Sequence, residues 1–387
     1  MIFATEDIFV DAPRPTPLYA AAASVSEANL WTSVNGWTAA RVYSSVAEEY
    51  DAARNNAVIG DFGPMARYAV RGNDAAQFLA RLTTAPAISL HIGEGARGLL
   101  LTDEGHVIDL AEVSRLSEEL FLVTFPGPHA RRVDLAARGM DVEVQDISSD
   151  VAALGIMGPQ TGSALNAAGL KSVSETFAAS SVLRGVETAT RPLQFGGIQG
   201  VELIFPKDEA LTIWERIIRR SMARPIGLDA MEILRLESGV PRSGLDFIPA
   251  DRRSSATKRT PEELGLAHLA PLDGGWFNGR RALRKSAGRP ERRLISLSLD
   301  AEETVPGAGV YLAGKNIGRI TSCGWSPSRK RVLAFADIGA ACHSPEFEVS
   351  MAMPGEKRVL AKPFETTESA LERQFSSEQG RATDFRR

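Results

Sequence analysis

Cysteine is scarce in this chain of 387 residues: there are two, Cys323 and Cys342. They make no metal-spaced pair, and so few thiols read as a reduced, cytoplasmic chain. Histidine is nearly as sparse. His91, His106, His129, His268 and His343 include no i, i+4 ligand pair, so no metal site is expected. No apolar run reaches the ~18 residues of a membrane-spanning helix. The N-terminus MIFATEDIFVDAPRP carries acids and no basic region, unlike a signal peptide. The net charge of −4 comes without a block of one sign, so neither nucleic acid nor an anionic membrane is an expected partner.

What is present is ordinary globular material, 44% hydrophobic and 24% charged. The length predicts two or three domains. SVAEEYDAARNNA (45–57) has helix composition, and GDFGPM (60–65) breaks it. RYAVRG (67–72) alternates like a strand, and NDAAQFLARLTT (73–84) has helical spacing. Residues 95–125 read as a meander: a strand to Leu101, a turn at Asp103–Gly105, a strand over 106–113, and a strand ending at Phe125. VAALGIMGPQTGSALNAAG (151–169) is a strand, a Gly-Pro turn and a helix, and LQFGGIQGVELIFP (193–206) is two short strands about a glycine turn. Residues 208–222 form an amphipathic helix, and 227–239 a helix ended by Gly239. From 292 the texture changes to short strands and frequent glycines, with a hairpin turn at Gly314–Lys315. The pattern is α+β for about 290 residues, then a small β-barrel.

The order of the motifs resembles the aminomethyltransferase family, which includes the glycine-cleavage T-protein and tetrahydrofolate-dependent demethylases. The resemblance covers roughly residues 36–365. It is carried by GWTAARVYSSVAEEYDAARNNAVIGDFGPM, EGHVID (104–109), GIMGPQ (155–160), GGIQGVEL (196–203), LRLESG (234–239), TPEELGL (260–266), WFNGRRAL (276–283) and GRITSCGWSP (318–327). It implies two interwoven α+β domains over residues 1–290, a C-terminal β-barrel over 291–365 and a polar tail over 366–387, with the folate in a central cavity.

By that resemblance Asp109 is the catalytic aspartate. A carboxylate on a rigid strand can stabilise a developing cation or relay a proton. Its plain alternative is an edge-strand acid in solvent. Some demethylases of the family carry the acid one residue later, here Leu110, and a one-residue slip moves a strand side chain to the other face. Glu202 matches the glutamate that takes the pterin edge in a two-bond grip. Tyr43, Trp37 and Phe195 are the other expected cofactor contacts. Met65, Phe125, Met231 and His268 are expected around the substrate. His106 and His268 are further acid/base candidates, and core packing is the competing reading for each of these residues.

Several positions depart from the family pattern. Phe195 replaces a tyrosine, Phe125 an asparagine, Met231 an arginine, and Tyr50 and Pro64 a histidine pair. Most of these changes leave apolar surface. They motivate a tetrahydrofolate-dependent methyl or one-carbon transferase, a demethylase acting on a small, methoxy-aromatic type of substrate. The alternatives are a lyase on the same fold that releases formaldehyde after losing the folate, and a non-catalytic folate-binding protein.

Overall fold

The computed structural model describes residues 13–170, 173–183, 185–252, 258–350 and 358–367. The chain divides into two compact units, each assembled from separate stretches of sequence. The first takes residues up to Arg67, then Asp146–Leu193 and Gln199–Ala230; the second takes Tyr68–Gln145, Gln194–Ile198 and everything from Met231.

In the first unit, the strands Val151–Met157 and Ile198–Pro206 pair antiparallel at the middle of a six-stranded sheet. Their register sets Gly155 opposite Glu202. A side chain on Gly155 would run into the Phe62 ring and Leu193, so glycine there lets the two apolar groups close over the strand. Helix Ala210–Arg220 buries Ala210, Ile213, Trp214 and Ile217 at helical spacing and keeps Arg219 and Arg220 at its C-terminal end. Trp214 and Tyr43 belong to one apolar core with Leu18, Ile59 and Phe205. Helix Val46–Asn55 starts where the Ser45 side chain accepts from the Glu48 N–H, with Glu48 and Glu49 in its first turn.

The second unit holds a five-stranded sheet and a closed six-stranded barrel. Helix Ala75–Leu82 turns Ala75, Phe78, Leu79 and Leu82 inward. In the sheet, strand Gly95–Leu101 pairs with Val107–Arg115, which pairs with Leu120–Phe125. The middle strand runs two residues further than the sequence pattern predicts. Asp109 is its third residue. The barrel runs from strand Arg292–Leu299 to Arg358–Pro363 around Leu297, Val310, Ile320, Ala336 and Val349. Its hairpin turns on Ala313 and Gly314, both at positive φ, one residue earlier than the glycine alone suggests. Arg235 ties the helix ending at Ser238 to the barrel: its guanidinium donates to Asp246 (2.6 Å), Glu232 (2.6 Å) and the Ser322 hydroxyl (2.9 Å).

Two elements near the N-terminus escape the pattern reading. Tyr19–Val25 is a helix, and Leu30–Val34 pairs with Trp37–Val42 in a three-stranded sheet. The helix is mostly alanine, which gives too little contrast between faces for a period to show. The polar tail expected over 366–387 lies outside the described residues beyond Thr367.

Candidate active site

The strand Val107–Arg115 sends alternate side chains to opposite faces. Leu110 joins the apolar cluster of Leu99, Leu101, Val107 and Phe277. Asp109, one residue earlier, faces the other way and is 2% exposed. A carboxylate so deeply placed needs partners, and Asp109 has three. One oxygen accepts from the Leu110 N–H (3.0 Å); the other accepts from the Gly127 N–H (3.1 Å) and lies 2.9 Å from His129 Nε2. Gly127 and His129 sit on the loop between strand Leu120–Phe125 and helix Ala130–Ala137. A Cβ on Gly127 would come within 3.3 Å of the Asp109 oxygen, so this loop approaches the acid at glycine distance.

His129 is held at two further points, its backbone N–H and its ring. The His129 N–H donates to the Tyr68 hydroxyl at 3.1 Å. The Phe125 ring stands edge-on to the imidazole, 5.2 Å between centroids at 85°, and Phe125 meets Tyr68 at 6.0 Å. Of the expected site residues, Asp109 and Phe125 are thus brought together, both through His129. His129 itself had no motif to announce it. The one clue in the sequence is a histidine four residues past the end of a strand, and that is too weak to single out.

Glu202 lies in the first unit and is fully buried. Arg67 Nη2 and Arg191 Nε each donate to one of its oxygens at 2.5 Å. Arg67 also donates from Nη1 to the Met65 carbonyl at 2.9 Å, so Met65 and Glu202 share one guanidinium. Burial alone would raise the Glu202 pKa. The two arginines more than offset it and hold the carboxyl below the usual carboxylate range. Neither arginine was anticipated. Arg67 is 135 residues away in the chain, on a strand whose alternation reads as plain amphipathic sheet.

The remaining candidates take separate places. Tyr43 is a core side chain, 6.5 Å from the Trp214 ring, with its hydroxyl pKa pushed up by burial and by Asp61 and Glu49. Trp37 is half-buried on its sheet with the Arg14 guanidinium 4.4 Å above the ring. Phe195 ends strand Val186–Phe195 just before Gly196 and Gly197, both at positive φ. Met231 is buried on helix Leu228–Ser238, and His268 is half-buried in a short helical turn. His106 Nδ1 is buried without a hydrogen bond, and burial lowers that ring's pKa. No group of three or more His, Cys, Asp or Glu among the described residues could hold a metal, and no helix there is long and apolar enough to cross a membrane.

Fold and site together define a class: an α+β chain that ends in a closed barrel and carries a histidine-paired, buried acid. Comparison with known proteins gives the family. Residues 20–267 match the GCVT N-terminal domain, and residues 292–367 match the glycine cleavage T-protein C-terminal barrel domain. A probable aminomethyltransferase of Haloarcula marismortui is 30% identical over 353 residues, covering 86% of this chain and 94% of its own. The aminomethyltransferase of Thermotoga maritima is 27% identical, covering 85% and 92%. The crystal structure of the glycine cleavage system aminomethyltransferase T from Bartonella henselae superposes with a TM-score of 0.82 at 23% identity, over 92% of this chain and 98% of that one. The chain belongs to the aminomethyltransferase family, whose members carry out folate-dependent one-carbon transfer.

Proposed function

We propose that this chain is a tetrahydrofolate-dependent one-carbon transferase acting on a small molecule, and that the donor carries its methyl group on a heteroatom, as a methoxy-aromatic does. The observation that carries this reading is the Asp109–His129 pair, on the strand where the family resemblance sets the reacting centre. A carboxylate bonded to an imidazole can manage the proton that must move when a heteroatom leaves. The aromatic donor is supported by Phe125, a fully buried ring beside His129 and Tyr68 that makes the surroundings of the pair apolar where the family has an amide.

Glu202, the residue expected to grip the pterin, does not fit that task as placed. It is fully enclosed, and each oxygen is already held by an arginine. The folate in this proposal therefore stands on family membership, and no step is routed through it. The same observation favours a second reading: a folate-free lyase that releases formaldehyde from an aromatic substrate, using the Asp109 region to take a hydroxyl proton.

Calorimetric titration with tetrahydrofolate and 5-methyltetrahydrofolate separates the two. Micromolar binding, together with methyl transfer from methoxybenzoates, is the expected result. No heat of binding, with formaldehyde released in the absence of folate, would replace the first reading by the second.

A further inference from the structure

The resemblance makes Asp109 the residue that meets the reacting group, but its surroundings leave it little with which to do so. Three hydrogen bonds converge on its two oxygens, and it is 2% exposed. We infer that His129, not Asp109, is the proton-transfer residue of this site, and that Asp109 is its positioning residue. The inference rests on the reading that this strand carries the reacting centre.

The geometry assigns the ring nitrogens. Asp109 already accepts two backbone N–H groups, so its place in the third bond is again that of acceptor, and Nε2 is the nitrogen that carries hydrogen. Nδ1 then bears the lone pair. It makes no hydrogen bond and is not among the buried unpaired atoms of the described residues. Two contacts hold the ring in this orientation: Phe125 stands against it, and Nε2 is bonded to Asp109. Tyr68 and Asp109 are the titratable groups bonded to this residue.

The step begins with a proton transfer. An N–H of the methyl acceptor, an amine, gives its proton to Nδ1; the nitrogen pair this frees forms the bond to the methyl carbon as that carbon's bond to the donor oxygen breaks with its pair on oxygen. Nε2 keeps its own proton, and the imidazolium formed is stabilised by the Asp109 carboxylate. The same proton returns from Nδ1 to the heteroatom that leaves, so the residue ends as it began. Asp109 stays a carboxylate throughout.

The first test needs no substrate. Long-range proton–nitrogen NMR of the histidine-labelled protein should show His129 as the Nε2–H tautomer, with an unprotonated, accessible Nδ1. Asp109→Asn should scramble that tautomer. Diethyl pyrocarbonate, followed by peptide mass spectrometry, should modify His129 through Nδ1, the ring nitrogen that Asp109 leaves unbonded. The second test is His129→Gln. Its amide nitrogen can replace Nε2 as the donor to Asp109 and so preserve the fold, but it has nothing at the Nδ1 position.

With methoxybenzoates and tetrahydrofolate as probes, His129→Gln should lower kcat about 10²–10⁴-fold with little change in KM. His129→Asn, which cannot reach Asp109, should lose both activity and thermal stability. An Nδ1–H tautomer would overturn the proposal, as would a His129→Gln enzyme that turns over at the wild-type rate. If the wild type itself transfers nothing from these probes, the transferase reading fails, while the tautomer and modification patterns still decide the role of His129.

Discussion

Glu202 in the first unit and Asp109 in the second are both buried carboxylates on sheet strands, and their surroundings treat them in opposite ways. Glu202 is met by two permanent cations, enclosed, and held in the charged state. Asp109 is met by two backbone N–H groups and one imidazole, whose far nitrogen is left open. Guanidinium groups cannot give up a proton in a protein, so the Glu202 cluster can only hold its charge. Imidazole can gain and lose one, so the Asp109 cluster can pass it on. Burial of an acid is therefore no guide to function by itself; the partner decides whether the charge is a strut or a switch.

The largest expected effect tests the strut. Glu202→Ala should take the Glu202 carboxylate away from the buried Arg67 and Arg191 guanidinium groups and lower stability by about 3–5 kcal/mol, read as a fall in the urea midpoint. Replacing Glu202, Arg67 and Arg191 together by Met or Leu should cost far less, because the desolvation of three ions is then recovered. If Glu202→Ala unfolds at the wild-type midpoint, the cluster is not a strut and the contrast collapses.

The switch should respond in activity rather than stability. Asp109→Asn keeps the shape but loses the ionic acceptor that fixes the imidazole. Turnover should drop about 100-fold or more, while the folding stability falls by no more than the ~1.5–3 kcal/mol of one charged hydrogen bond. Equal losses in the two properties would make Asp109 a second strut. Gly127→Ala should act in the same direction and more weakly. Its N–H remains, but the added methyl sits 3.3 Å from the Asp109 oxygen and 3.9 Å from His129 Nε2. We expect roughly a tenfold loss of kcat, about 1.4 kcal/mol, with stability nearly unchanged.

These two clusters also mark what a sequence can and cannot show. Helix Ala210–Arg220 was readable because its buried residues recur at helical spacing, and the meander around Asp109 because its turn glycine and alternation agree. The barrel was readable from its change of texture at Arg292. Asp109 stood out through a motif, EGHVID, that has a place in a known series. Its partner did not. His129 reaches Asp109 across a loop 20 residues away, and nothing local in PGPHA demands that contact. Glu202 was found, but its role was inferred without Arg67, because an ion pair between side chains 135 residues apart leaves no trace in either segment.

The smallest effect is one of pH, and it turns on sign. The folded-state pKa of Glu202 is depressed, so its stabilisation is complete above the ordinary glutamate pKa of about 4.3 and disappears as pH falls through the lower folded value. Asp61 and Glu49, in the same unit, shift the other way. Burial raises both, despite the Thr16 and Gly63 bonds to Asp61 and the Gly227, Ser44 and Tyr43 N–H groups on Glu49. A carboxyl with a raised folded pKa binds its proton more tightly in the folded chain. It therefore adds stability as pH falls from that raised value toward the ordinary one. The two contributions oppose each other, and they act in different windows. Mild acid should leave the urea midpoint level or slightly higher, through Asp61 and Glu49. Stronger acid should lower it, through Glu202. Glu202→Gln should start from a lower midpoint at neutral pH and lose that strongly acidic decline. A decline that persists unchanged in Glu202→Gln would assign the acid sensitivity to other carboxylates and leave the two arginines without the anion that this account gives them.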